Sequence, residues 1–204
     1  MKKIIVALSV LALTTNSLFA QKEKDEEEKS FKIENLFTGG SVSLAFYNNT
    51  FLVGVSPVLG YSIAKWVDAG IVFNYNYTSY RDYGFIYNDK LRQKVYGGGT
   101  FIKLYPVRFL FAQAQFEHNS INQKYIPNIG DIQTYKTDAN SFLIGGGYTT
   151  GRYGPGGDMF YYLAVLFDIS GNVNSPYTDA HGRAIPIIRG GIQIPLFQGG
   201  GRER

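Results

Sequence analysis

Residues 67–80 read Val-Asp-Ala-Gly-Ile-Val-Phe-Asn-Tyr-Asn-Tyr-Thr-Ser-Tyr. Ala69, Ile71, Phe73, Tyr75 and Tyr77 occupy alternate positions, and Asp68, Gly70, Asn74 and Asn76 fill the places between them. A repeat of two puts the first set on one face of a β-strand and the second set on the other. Fourteen residues of it exceed the five or six of an average soluble strand and match what a tilted strand needs to cross a bilayer.

The same period recurs in seven more segments: Thr38–Tyr47, Phe51–Ile63, Lys94–Tyr105, Arg108–Asn119, Ser141–Thr150, Met159–Ser170 and Ala184–Phe197. In Arg108–Asn119, for example, Leu110, Ala112, Ala114 and Phe116 oppose Gln113, Gln115 and Glu117. The faces opposite the apolar ones carry mostly Gly, Ser, Ala, Asn and Gln with isolated charges. Small polar residues suit a narrow lumen; a water-facing exterior would be rich in Lys and Glu. Aromatics gather near segment ends, as in the girdles that sit at headgroup level. Trp66, Tyr75, Tyr77, Tyr105 and Tyr148 are therefore expected at the interfaces. The expected fold is all-β: an eight-stranded antiparallel up-and-down transmembrane β-barrel. The alternative arrangement is a soluble lipocalin-like barrel, which would point the apolar face inward around a ligand.

The connections alternate in length. Ala64-Lys65-Trp66, Pro106-Val107 and the Gly-rich Gly151–Asp158 read as periplasmic turns. Asn48–Thr50, Arg81–Gln93, Ser120–Asn140 and Gly171–Arg183 read as outer loops, three of them long, polar and Tyr-rich. An even strand count leaves both termini in the periplasm.

The N-terminus carries a basic Met1-Lys2-Lys3, an apolar Ile4–Leu13 and Leu18-Phe19-Ala20 before Gln21, the pattern of a secretory signal peptide cleaved near Ala20. Residues 21–35 hold six acids and four bases and read as a charged periplasmic tail. The barrel is expected over 36–197, with a C-terminal tail at 198–204. The formal charge of +4 falls to +2 once Lys2 and Lys3 are removed, and there is no cationic stripe of the kind nucleic acid requires. With no cysteine, disulfides, thiolate metal centres and thiol-linked lipid are excluded.

The last segment reads Arg189-Gly190-Gly191-Ile192-Gln193-Ile194-Pro195-Leu196-Phe197. Arg189, Gly191, Ile194, Leu196 and Phe197 match the polar–Gly–apolar–aromatic pattern by which barrel-insertion machinery takes up a terminal strand. Seven residues follow Phe197, whereas many such chains end at the aromatic. Pro195 has no N–H, so it must sit at a strand edge. The alternation, the signal peptide and this final strand together resemble the small eight-stranded outer-membrane β-barrel family of OmpA/OmpX-type architecture. The texture is similar to the porin-like outer-membrane β-barrel domain group common in Bacteroidota. The resemblance covers residues 36–197 and implies the fold and an outer-membrane location; the family shares no catalytic site.

Charges on the small-residue face, Asp68, Lys103, Glu117, Asp168 and Arg189, are expected to form an internal salt-bridge network, because an unpaired buried charge is costly. A narrow ion or small-solute path is the alternative use of the same groups. A lipid-modifying hydrolase could be drawn from His118 with Asn119 and Ser120, or from His181 with Asp179 and Ser175. No nucleophile elbow accompanies either. The expected function is non-enzymatic, in envelope structure or in surface binding through Tyr-rich outer loops, with no cofactor, metal or nucleic acid. The expected partners are outer-membrane lipid, the insertion machinery and an envelope or extracellular protein.

Overall fold

The computed structural model describes residues 31–47, 49–82, 88–179 and 183–197. The signal peptide, most of the charged tail, His181 and residues 198–204 lie outside them. The chain divides into a unit at Met1–Lys32 and a unit at Ile33–Arg204, and the barrel is the second. After a 3-10 turn at Ile33–Asn35 come eight strands: β1 Leu36–Tyr47, β2 Thr50–Ala64, β3 Val67–Arg81, β4 Lys90–Val107, β5 Leu110–Ile126, β6 Gln133–Thr149, β7 Phe160–Asp168 and β8 Ile187–Pro195. Each pairs antiparallel with its chain neighbour, and β1 pairs with β8 to close the ring. At the turn end of the barrel lie the two-residue β2–β3 turn, the β4–β5 turn and the β6–β7 connection. The opposite end is the loop end.

The apolar set of each strand faces outward. Ile71, Phe73 and Tyr75 are exposed, while Asp68, Asn74 and Asn76 are buried. The same sense holds around the ring, so the interior is mainly polar and the wall apolar, the inverse of a lipocalin-like barrel.

Several strand limits differ from those read in the sequence. The pairing of β5 with β6 runs from Leu110↔Tyr148 out to Tyr125↔Gln133, so the loop expected at 120–140 shrinks to residues 127–132. β4 likewise begins at Lys90 rather than Lys94. Above the apolar band the sense inverts: Leu91, Val95, Ile121 and Ala139 are buried inside, while Arg92, Lys94, Lys124 and Lys136 face out. Pro106 and Val107 belong to β4, and Arg108-Phe109 makes the turn. At the other extreme β7 and β8 each keep nine residues, and Ala184 makes only an isolated bridge to Thr178.

Two glycine runs let the wall curve. A Cβ on Gly99 would meet the Phe116 carbonyl on β5, and one on Gly145 would meet the Val165 carbonyl on β7. Strands this close tolerate no side chain at those points.

Candidate functional site

The lumen is a stack of polar layers, built from the inward members of the period-two pattern. At the turn end, fully buried Asp68 on β3 meets Arg152, a residue of the β6–β7 connection that turns into the barrel. Arg152 Nε lies 3.1 Å from Asp68 Oδ2, and Arg152 Nη2 lies 2.5 Å from Asp68 Oδ1. Nη2 also donates to the Ala64 carbonyl at 3.0 Å, and Nη1 donates to the Lys65 carbonyl. Gln193 Nε2 donates to Asp68 Oδ2 at 3.0 Å, and the Tyr105 ring lies 4.6 Å from the guanidinium. A two-bonded, hydrogen-bonded pair of this kind offsets its own desolvation.

Arg152 was not among the residues singled out from the sequence, because it sits in a Gly-rich turn. One signal pointed to it. The inward set held three acids, Asp68, Glu117 and Asp168, against two bases, Lys103 and Arg189, so one cation was owed from elsewhere.

Lys103 takes a different partner from the one expected. Among the described residues it makes no ion pair. Its Nζ sits 4.0 Å from the Tyr162 ring centroid, 5.4 Å from Phe111 and 5.5 Å from Phe101. Three aromatic faces stabilise the ammonium in place of a carboxylate.

At mid-height, β5 presents Gln113, Gln115, Glu117 and Asn119 as a ladder at intervals of two. Gln113 Nε2 donates to Gln115 Oε1 at 2.7 Å, and Gln115 Nε2 to Glu117 Oε1 at 2.5 Å. Arg189 crosses from β8 with Nη1 3.2 Å from Gln115 Oε1 and Nη2 3.2 Å from Glu117 Oε1. Asn119 Nδ2 and Asn74 Nδ2 donate to Glu117 Oε2 at 3.2 and 3.3 Å. The Tyr177 hydroxyl completes that oxygen's shell at 2.6 Å and accepts from Asn76 Nδ2 at 3.0 Å.

Tyr177 belongs to the connection between β7 and β8. It lies within Gly171–Arg183, which the sequence marks as an outer loop. Instead it is fully buried, and with Leu52, Leu143, Leu166, Ile185 and Ile187 it forms an apolar plug at the loop end. Asp168 anchors the same connection. Its Oδ1 accepts from the Phe142 and Ser170 amides at 3.0 and 2.9 Å, and its Oδ2 accepts from the Ser175 hydroxyl. It is thus a cap for backbone amides, where an ion pair had been expected. Between the layers a cavity of about 10 Å³ touches Ser56, Lys103, Gln115 and Arg189, room for about one water.

The wall carries the exposed aromatics. Trp66 is exposed at the β2–β3 turn, and at the same end of the barrel Phe109 and Tyr148 pair with rings 6.3 Å apart. Tyr75 and Tyr96 pair at 5.1 Å toward the loop end, and Tyr77 lies half-buried on the same outer face. Tyr105 is a correction: it is 5% exposed and faces the lumen, packed on Phe111 and Phe160. The alternation itself explains this, since Ile102 and Leu104 face out and position 105 must face in; nearness to the strand end was the wrong criterion.

In β8, Arg189 and Gly191 face the lumen, where a Cβ on Gly191 would meet the Tyr162 ring and the Gly40 carbonyl. Ile194 faces out, and Leu196 and Phe197 lie exposed just past the strand. The Leu196 amide bonds the Leu36 carbonyl of β1 at 2.9 Å, so the nitrogen of Pro195 faces the β7 side. β7 has already ended there, at the Phe160↔Gln193 pair. The missing N–H therefore leaves no ladder bond unmade.

His118 lies on the outer wall with Nδ1 2.8 Å from Asn140 Oδ1, while Asn119 faces the lumen. The Ser120 hydroxyl donates to Asp138 Oδ1 at 2.6 Å. Ser175, proposed beside the second histidine, is buried against Asp168. Among the described residues no three His, Asp or Glu side chains could hold a metal.

No family model matches the chain, and no curated protein does. Three solved structures share the architecture. The N-terminal β-barrel domain of Pseudomonas aeruginosa OprF is 14% identical, over 77% of this chain and 95% of that one, with a TM-score of 0.39. Ail, the attachment invasion locus protein of Yersinia pestis, is 8% identical over 78% and 94%, with a TM-score of 0.46. Neisserial surface protein A is 11% identical over 79% and 96%, with a TM-score of 0.39. Likeness at this level assigns no activity.

Proposed function

We propose that the chain is a non-enzymatic integral outer-membrane protein that acts in envelope structure or surface binding through its outer loops and outer wall. The observation that carries this reading is the inversion of the barrel. The ion pairs and the amide ladder lie inside, between buried apolar clusters, and a closed ring of Ile, Leu, Val and Phe faces outward. Such a wall is insoluble in water and matches a hydrocarbon slab. The ring also leaves no unpaired strand edge to satisfy. Side chains fill the lumen and Tyr177 plugs its loop end, which favours a structural role for the charge layers over passage of ions.

In this reading residues 1–20 direct export and are removed near Ala20. Residues 21–35 lie in the periplasm, the loop end of the barrel faces outward, and the final strand is what the insertion machinery engages. Density-gradient fractionation after carbonate extraction tests it. The mature chain is expected with the outer-membrane fraction, resistant to extraction; recovery in the soluble periplasmic fraction would contradict it.

A further inference from the structure

The outer wall of β3–β6 is graded, and its gradient ends in unpaired cations. Strand register lines the outward side chains up in rows. Ile71, Thr100, Phe116 and Phe142 form one apolar row. Four residues nearer the loop end, Tyr75 lies beside Tyr96, with Ser120 on the next strand and Asp138 on the one after. The row above pairs Lys94 with Asn122 and Asn122 with Lys136. The one after that sets Arg92 directly opposite Lys124. All four cations are exposed, and among the described residues none forms an ion pair. The only carboxylate in these rows is Asp138, and it accepts the Ser120 hydroxyl.

Like charges directly opposite each other on a sheet repel. Arg92 and Lys124 are such a pair, with Lys94 and Lys136 one row below. The arrangement is costly alone and favourable around an anion. Its height says which anion. Rows on a tilted strand rise by about 5 Å each. The cations thus begin one row above the paired tyrosine rings, which mark the boundary of the apolar wall. That is the level of lipid phosphates.

We propose that Arg92, Lys94, Lys124 and Lys136 form a binding face for the phosphate groups of lipids in the outer leaflet, the acyl chains lying on the apolar rows below. The proposal rests on the outer-membrane reading and names the lipid class that reading leaves open. Continuity with the apolar wall favours a lipid over a soluble polyanion, which would need no hydrocarbon surface beneath its charges.

The test uses the full-length mature protein in neutral detergent micelles doped with phosphatidic acid, with retained lipid counted by native mass spectrometry. Heat-modifiable gel mobility is recorded on every sample. Wild type is expected to retain phosphatidic acid roughly tenfold more tightly than R92Q/K94Q/K124Q/K136Q, the scale that one or two lysine–phosphate contacts supply. It is expected to ignore diacylglycerol, which has the same tails without phosphate, and to keep its lipid against inorganic phosphate. K65Q, at the opposite rim, is expected to match wild type. Equal retention by the quadruple variant in its heat-modifiable form would overturn the proposal. So would equal retention of diacylglycerol, or displacement of the lipid by inorganic phosphate or by heparin. A wild-type chain with no heat-modifiable form would instead defeat the outer-membrane reading, and the proposal with it.

Discussion

Arg152 and Asp68, 84 residues apart in the chain, meet as a buried ion pair that closes the turn end of the barrel. One comes from a connection and the other from a strand, so the pair fastens the β6–β7 connection across the lumen to β3. Removing either partner strands a charge in a water-poor interior, which costs about 3–5 kcal/mol. Asp68→Ala and Arg152→Ala are each expected to lower the midpoint of urea unfolding by that amount. The double variant Asp68→Ala/Arg152→Ala is expected to cost less than the sum of the two single variants. Additive losses would show that the pair is not coupled.

Tyr177 holds the plug by one hydroxyl between Glu117 and Asn76. Tyr177→Phe keeps the ring packing and leaves a carboxylate oxygen short of a donor, at a cost of about 1–3 kcal/mol. Tyr177→Ala also opens a cavity and is expected to cost about 3–5 kcal/mol. Thermal unfolding in detergent reads both; a Phe variant as stable as wild type would remove the hydroxyl from the account.

Lys103 rests on aromatic faces. Lys103→Met keeps the length and gives up both the charge and its desolvation, and is expected to change stability by no more than about 1 kcal/mol. Lys103→Glu sets a carboxylate against three ring faces and is expected to destabilise by more than about 3 kcal/mol. Comparable losses in the two variants would point to an anionic partner for Lys103.

The connection at residues 127–132 is the outermost point of the β5–β6 hairpin, and Ile129 is 91% exposed. An epitope inserted between Ile129 and Gly130 is expected to be labelled by antibody on intact cells. An epitope between Gly154 and Pro155, at the turn end, is expected to be labelled only after the outer membrane is opened. The reverse pattern would invert the proposed orientation.

The ring of eight strands, and the direction each mid-strand residue faces, followed from phase alone. Once Ile71 faces out, Asp68 must face in, and the same reasoning applies on every strand. Tyr105 shows that phase outranks position along the strand. What escaped was everything the connections contribute. Arg152 and Tyr177 enter the lumen from outside the strands, and no periodicity runs through a Gly-rich turn or an eighteen-residue connection (169–186). The upper halves of β4, β5 and β6 escaped for another reason. Lys94, Asn122 and Lys136 line up on the outside while Val95, Ile121 and Ala139 turn in, the reverse of the apolar-out sense that marks the strands lower down.

A closed barrel keeps its ring of backbone hydrogen bonds in detergent until it is heated. Gel mobility of the mature protein from the outer-membrane fraction, with and without boiling in SDS, tests it most directly. The unboiled chain is expected to run ahead of the boiled one, because a compact barrel resists SDS until heated. A single band at the same position in both lanes would contradict the closed membrane barrel.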